Sequence, residues 1–298
     1  MLPLMNVCLI INPNAGNKQG LTVAGRVAGI FSENGIYSEP MVSTHPGGTR
    51  EIAEGLDLTR WDAVVAVGGD GTLFEVINGM SAVSGVPGVP IGQIPVGTGN
   101  SFIRDLDVHS VEDAAARIVA GGVRKIDLGH FTSAAGSFFF INLLGAGFVS
   151  NVAYRARKYK RLGSLSYLIG VFQEVIGLES TGVTLNIDGT IITRDCVFVE
   201  VCNSRFTGGN MMMAPGAELD DGLLDVVLLN KIPRRTLLRL LPTIFSGKHV
   251  DAPVVEVFRG RHIALESEKP LALTPDGETF GETPIDVTVR PRVLEIFA

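Results

Sequence analysis

"VVAVGGDGTLFEVING", residues Val64–Gly79, decides how the first half of this chain is read. An unbroken apolar run ends in Gly68-Gly69-Asp70-Gly71-Thr72, and a helix-like stretch follows at once. Such a run feeding a helix start is the βα unit of a parallel sheet, whose strands are buried on both faces. A simple reversal of direction needs only one Gly or an Asn-Gly pair. Three glycines around one carboxylate therefore predict that something approaches this main chain closely.

The same grammar extends to both sides. "NVCLIINP" reads as a first buried strand, followed by a helix from about Leu21 to Asn34. "YSEPMVST" reads as extended, Thr49–Leu56 as a helix, Thr72–Met80 as a helix start, "VPIGQIPVG" as a third buried strand and Val111–Ala120 as a helix. Near Gly121-Gly122 the character changes to β-rich stretches separated by turn signals, among them "SFFFINLLG", "GVTLNIDGT", "DCVFVEVCN", "LLDVVLLN" and "PIDVTVRP". Two helical segments, Val152–Gly177 and Arg234–Ser246, interrupt them. The expected architecture is an α/β nucleotide-binding domain with a parallel, doubly wound sheet over 1–126. A mostly antiparallel, β-sandwich-like domain with added helices follows over 127–298.

Composition narrows the function classes. The chain has 298 residues, 46% hydrophobic and 19% charged, with a formal net charge of −6. That is ample for two cores and gives no basic domain for nucleic acid. Three scattered cysteines, Cys8, Cys196 and Cys202, suit reduced thiols of a cytoplasmic protein. The five histidines fall at no metal-ligand spacing. "RLGSLSYLIGVFQEVIGL" (161–178) is the stretch nearest to a membrane span, but glycines, Gln173 and Glu174 break it short of about 20 apolar residues. The expectation is a soluble protein whose membrane contact, if any, is peripheral.

The Gly68–Thr72 turn falls at the carboxyl end of a parallel strand, where ligands of open α/β sheets sit. Glycines let amide N–H groups face an anion, and the following helix adds positive potential. Thr72 can cap the helix or bond a phosphate oxygen. Asp70 beside phosphate calls for Mg²⁺. The bland alternative for "GDG" alone is an ordinary helix cap. Two further polar loops tip the balance: Asn12-Pro13-Asn14-Ala15-Gly16 after the first strand, and Pro95-Val96-Gly97-Thr98-Gly99-Asn100 after the third. Three such loops on one edge make a phosphate-sized cleft. Neither a P-loop nor a dinucleotide fingerprint occurs in the chain.

"INPNAG", "VVAVGGDGTLFEVINGM" and "IPVGTGNSF" together resemble the diacylglycerol kinase catalytic-domain family, bacterial soluble lipid kinases related to sphingosine and ceramide kinases. The resemblance runs on through "NSRFTGGNMMMAPGAELDDGLLDV" (203–226) and "LTPDGETFGETPIDV" (273–287). It implies an active site between the two domains. It implies ATP held by Asn12, Pro13, Asn14, Ala15, Gly16, Thr44, Gly69, Asp70, Gly71, Thr72, Leu73, Phe74, Glu75 and Thr98. It implies a structural Mg²⁺ on Asp221 and the carbonyls of Glu218 and Leu223. It also implies a proton acceptor in Asp276-Gly277-Glu278, placed on Glu278 with Asp276 as competitor. Many diacylglycerol kinases read "GTGND", whereas this chain has Ser101 at the place of that Asp; the change bears on lipid identity, not on kinase chemistry.

The chemistry of phosphoryl transfer agrees, since it needs positioning, charge neutralisation and a base, here offered by Asp70, Asp276 and Glu278. Without the resemblance, "DGE" reads as a hairpin turn. The implied partner is a lipid substrate at a membrane surface, and the family allows a homodimer. Two basic stretches can meet anionic lipid. Arg155–Arg161 packs five basic residues into seven positions, and Pro233–Phe245 interleaves Arg234, Arg235 and Arg239 with leucines. The alternatives are a solvated helix face and a core-packed helix, respectively. Rival functions are an NAD kinase, which shares the "GGDGT" turn, and a non-catalytic nucleotide- or membrane-binding module.

Overall fold

The computed structural model describes residues 5–97, 99–148, 150, 152, 175 and 177–298. The chain divides into two compact units, Met1–Ile126 with Arg292–Ala298, and Asp127–Pro291.

In the first unit, strands β1 (Met5–Ile11), β2 (Ile36–Val42), β3 (Ala63–Gly68) and β4 (Ile91–Pro95) pair in parallel in the order β2-β1-β3-β4. Every residue of β3 and the stretch Val7–Ile11 of β1 is buried, as continuous apolar strands in a covered parallel sheet must be. Helices α1 (Gly20–Glu33), α2 (Gly48–Glu54), α3 (Asp70–Ser84), α4 (Phe102–Asp105) and α5 (Val111–Ala120) connect them. α1 buries Val23, Ala24, Val27 and Phe31, one face at helical spacing. α5 begins where the Ser110 side chain accepts from the Asp113 N–H and ends at left-handed Gly121, the ordinary pair of helix stops.

The second unit holds β5 (Val123–Ser133, from Asp127 on), β6 (Gly136–Phe140), β7 (Leu143–Gly147), β8 (Thr181–Ile187), β9 (Thr190–Cys202), β10 (Phe206–Thr207), β11 (Met211–Met212) and β12 (Leu224–Asn230). It continues with helix α6 (Arg234–Leu240) and strands β13 (Val255–Gly260), β14 (His262–Ser267), β15 (Leu273–Pro275) and β16 (Ile285–Phe297, as far as Pro291). Its strand pairs are antiparallel. β9 is long enough to serve twice. Its first half pairs with β8, and Phe198–Cys202 lies between β7 and β12.

Three details depart from the sequence reading. The last residues, Arg292–Ala298, belong to the first unit, where Ile296 pairs in parallel with Ile91 of β4. β13 was not foreseen; "VEVFRG" is short, and its pairing partner β12 lies far back in the chain. The helix begun at Arg234 stops at Leu240 and continues as 3₁₀ turns over Leu241–Ser246, because Pro242 has no N–H to carry an α-helix on. Most of the Val152–Gly177 segment, including the basic cluster Arg155–Arg161, lies outside the described residues.

Candidate active site

The three loops at the carboxyl ends of β1, β3 and β4 meet. Asn12 Nδ2 donates to Thr72 Oγ1 at 3.2 Å, and Asn12 Oδ1 accepts from the Asn14 N–H at 3.0 Å. Gly16 has φ 55°, and a Cβ there would sit 2.1 Å from the Val96 carbonyl oxygen. A Cβ on Gly97 would come within 2.5 Å of Gly69 Cα, and one on Gly68 within 2.2 Å of Thr72 Oγ1. Side chains at these glycines would collide with backbone or with a buried hydroxyl. The close approach foreseen from the sequence is thus, in part, one loop against another.

Asp70 is the fastener of this cluster. Its Oδ2 accepts from the Ser101 N–H at 2.8 Å and its Oδ1 from the Phe102 N–H at 3.3 Å, capping α4, whose own Ser101 side chain makes no cap. Burial pushes the Asp70 carboxyl above the ordinary range, and those two amides oppose the rise. Thr72 is 4% exposed and binds Asn12 rather than capping α3. Leu73 and Phe74 are buried, so only their main chain can face a ligand. Pro13, Ala15, Gly16, Gly71 and Glu75 are half-buried, while Asn14 and Thr44 are exposed. Thr44 follows β2 beside the first loop, since the Ser43 N–H donates to the Ile11 carbonyl. Thr98 lies outside the described residues. Asn100 Nδ2 donates to the Gly97 carbonyl, and its enclosed Oδ1 has no partner among the described residues.

In the second unit, Asp276 and Gly277 have φ of 47° and 82°, and the Glu278 N–H donates to the Pro275 carbonyl at 2.8 Å. This is the Asp-Gly reversal that the residues alone suggest. The buried Asp276 carboxylate also accepts from the Ile141, Asn142 and Leu143 N–H groups at 2.9, 2.8 and 3.1 Å. Asn203 binds the same segment from its carbonyl side. Its N–H donates to the Asn142 carbonyl, and its Nδ2 donates to the Ile141 and Asp127 carbonyls. Asp127, fully buried on β5, then accepts from the Gly222 N–H at 2.7 Å. One buried chain of hydrogen bonds therefore links the Asp-Gly-Glu turn to the Asp220-Asp221-Gly222 loop. Asp127 escaped the sequence reading; its signal was a lone acid inside an apolar strand. Glu278 itself is half-buried.

The expected metal residues are differently engaged. Asp221 Oδ1 accepts from the Leu223 N–H at 2.9 Å, and its Oδ2 is bound by Arg259 Nη2. Arg259 sits directly across from Asp225 in the β12–β13 register and reaches its Oδ2 at 3.3 Å. Burial pushes the Asp225 carboxyl up; Arg259 pulls it down, while Asp221 and Glu218 push it further up. Glu218 is exposed, and among the described residues no group of three or more His, Cys, Asp or Glu is placed to hold a metal. As arranged, Asp221, Glu218 and Leu223 do not fit a Mg²⁺: the charge such an ion would neutralise is already met by a guanidinium.

Comparison with known proteins bears on the family of the chain. The family model for the diacylglycerol kinase catalytic domain matches residues 6–131. The model for the YegS C-terminal NAD kinase beta sandwich-like domain matches 142–298. The chain is 29% identical over 295 residues to the diacylglycerol kinase of Mycobacterium tuberculosis, covering 97% of this chain and 94% of the relative. It is 27% identical over 280 residues to that of Bacillus subtilis, covering 93% and 90%. A crystal structure of a Bacillus anthracis diacylglycerol kinase superposes with a TM-score of 0.76 at 20% identity, covering 98% of this chain and 96% of that one, a likeness of fold. The chain belongs to the diacylglycerol kinase catalytic-domain family and is a lipid kinase.

Proposed function

We propose that this kinase transfers the γ-phosphate of ATP, accompanied by Mg²⁺, to the free hydroxyl of a diacylglycerol-like lipid. The observation that carries this reading is the meeting of three glycine-rich loops at the carboxyl ends of β1, β3 and β4. That edge offers backbone amides and the start of α3 to phosphate oxygens. Asp70 keeps the loops in register, and Asn100 Oδ1, which has no partner among the described residues, suits a hydroxyl of the nucleotide. A divalent ion bound with ATP would supply the charge neutralisation that phosphoryl transfer needs.

The lipid hydroxyl oxygen attacks the γ-phosphorus, the bond to the β,γ-bridging oxygen breaks, and ADP leaves. Glu278 takes the hydroxyl proton. Asp276 is the poorer base because three amides occupy its carboxylate, whereas Glu278 follows the turn that those contacts fix. Asp276 thus acts as a positioning residue.

Contact with the bilayer is proposed at α6 and the turns after it. Leu238 and Phe245 are 43% and 57% exposed there. Arg234, Arg235, Arg239 and Lys248 of the same segment are exposed. Such a surface matches an anionic, apolar-cored partner. No helix among the described residues is long and apolar enough to cross a membrane.

Incubation with γ-labelled ATP, Mg²⁺ and separate acceptors tests the assignment. Label is expected in diacylglycerol, giving a phosphomonoester; label in NAD, or in no acceptor, would refute it.

A further inference from the structure

The Asp-Gly-Glu turn that carries Glu278 hangs from residues 141–143 by four hydrogen bonds. Three amides of that segment donate to the Asp276 carboxylate, and the Asp276 N–H donates back to the Leu143 carbonyl at 2.9 Å. The carbonyl side of the segment is gripped as well. The Asn142 carbonyl accepts from the Asn203 N–H at 2.8 Å and from the Ser204 N–H at 3.0 Å. Asn203 Nδ2 reaches the Ile141 carbonyl at 2.9 Å and the Asp127 carbonyl at 3.0 Å, and the Ser204 hydroxyl donates to Asn142 Oδ1 at 3.1 Å. Asn203 and Ser204 are fully buried just beyond β9, whose last residue, Cys202, pairs with Leu143 on one side and Asp225 on the other.

Two consecutive peptide groups, 141–142 and 142–143, are therefore held at both ends. Donors face their carbonyls and a carboxylate faces their N–H groups, so each bond polarises the next and strengthens it. The Asn203 amide has one workable orientation. Two carbonyls face it, so its NH₂ group must point at them and its oxygen away. There Oδ1 is enclosed with no partner among the described residues. An enclosed acceptor without a partner weakens a fold. An Asp of the same shape would set an oxygen against both carbonyls, and a Leu would leave them bare. What the amide adds is the aim of two neutral N–H bonds at the segment that holds the turn.

We propose that Asn203, assisted by Ser204, is a positioning residue for phosphoryl transfer: it fixes residues 141–143 from their carbonyl side, and so holds the Asp276 turn and the Glu278 carboxylate where the attacking hydroxyl is deprotonated. This rests on the reading of Glu278 as the proton acceptor. Asn203 acts on the reaction only through that turn. Its loss lets the base drift, and a misplacement of about 1 Å can cost roughly a hundredfold in rate. Nucleotide binding on the loops of the first unit does not pass through these contacts.

A double-mutant cycle tests this. kcat and KM are measured for wild type, Asn203→Ala, Glu278→Gln and the double variant, with γ-labelled ATP and dioleoylglycerol in mixed micelles. The temperature is one at which urea unfolding shows each protein to be folded. Asn203→Ala should lower kcat roughly tenfold to a hundredfold and leave KM for ATP unchanged. In the Glu278→Gln background the same change should lower kcat by less than about twofold, since residues that act as one unit are not additive. An equal factor in both backgrounds would make Asn203 merely structural and overturn the proposal, as would a wild-type kcat in Asn203→Ala. If Asn203→Ala does not fold, Ser204→Ala takes its place in the cycle. It removes one hydroxyl contact and should lower kcat about fivefold, the worth of one hydrogen bond, again only while Glu278 is present. The same two outcomes overturn the proposal there. A wild-type kcat in Glu278→Gln is a separate failure: the base then lies elsewhere, and the proposal falls with that reading.

Discussion

Replacing Glu200 should change how stability depends on pH, and the size of the change follows from its burial. In the unfolded chain this carboxyl titrates at its ordinary 4.5, whereas in the folded second unit it is lifted to about 8. Between those values the folded protein holds a proton that the unfolded chain has released. Stability from this group is therefore complete below about pH 4.5, is lost as pH rises through the window, and is gone above about 8. At about 1.4 kcal/mol for each pH unit, the full loss is up to about 4–5 kcal/mol. Glu200→Leu removes the titration. Two acidic neighbours share its face of the sheet, and both remain in the variant. The Cys202 thiol is pushed well above its usual range and stays silent, while Asp225 keeps its partner Arg259. Their contributions cancel in the difference between the two proteins. Urea unfolding followed by far-UV circular dichroism at pH 5, 7 and 9 measures that difference. The Leu variant should gain on wild type steadily from pH 5 to pH 8 and then hold its lead. Parallel stability profiles across that range would show that Glu200 ionises normally, and the argument from enclosure would fail.

Asp70→Ala removes both amide contacts to Ser101 and Phe102 and should cost the first unit about 2–3 kcal/mol together with ATP affinity, read by thermal unfolding and nucleotide titration. Asp70→Asn retains one acceptor oxygen and should fall between; wild-type stability in the Ala variant would dismiss the fastening role. Arg259→Met should leave Asp221 and Asp225 uncompensated, costing about 1–2 kcal/mol after solvent screening of a guanidinium side chain that is 40% exposed. Millimolar Mg²⁺ should then restore part of that loss, while EDTA should leave the wild-type Tm unchanged; a wild-type Tm that drops in EDTA would place a metal where Arg259 sits. Changing Arg234, Arg235 and Arg239 together to Gln should weaken binding to anionic vesicles by roughly 3 kcal/mol, over a hundredfold, as read by sedimentation at low salt. Equal sedimentation of variant and wild type would move the membrane contact elsewhere.

The first unit was legible because its signals are local. Buried parallel strands appear as unbroken apolar runs, and β3 is buried at each of its six positions. Ser110 before α5 and Gly121 after it mark both ends of that helix within a dozen residues. The glycines showed that something comes close to Gly68–Thr72, but not what. Gly97 answers part of that question, and it lies 28 residues beyond Gly69 along the chain. A local pattern can announce crowding; only the fold names the neighbour.

The second unit hid more because its site is assembled across long separations. Asp276 binds amides 133 to 135 residues away, and Asp127 binds one 95 residues away. Nothing in "TPDGE" distinguishes an acid that fixes a distant segment from one that takes a proton, so Asp276 stood as a competitor to Glu278 for the proton acceptor. The acid-rich loop posed the same difficulty with charge. Glu218, Asp220, Asp221 and Asp225 within eight residues demand a counter-charge, and a metal ion or a guanidinium would each supply it. What selects between them is the register of β13, a strand too short to announce itself, which sets Arg259 opposite Asp225 and within reach of Asp221. Move that register by one residue and Arg259 turns to the other face of the sheet, leaving the two carboxylates to find a cation from solution. The metal requirement of this loop is therefore written in strand pairing, not in the carboxylates themselves.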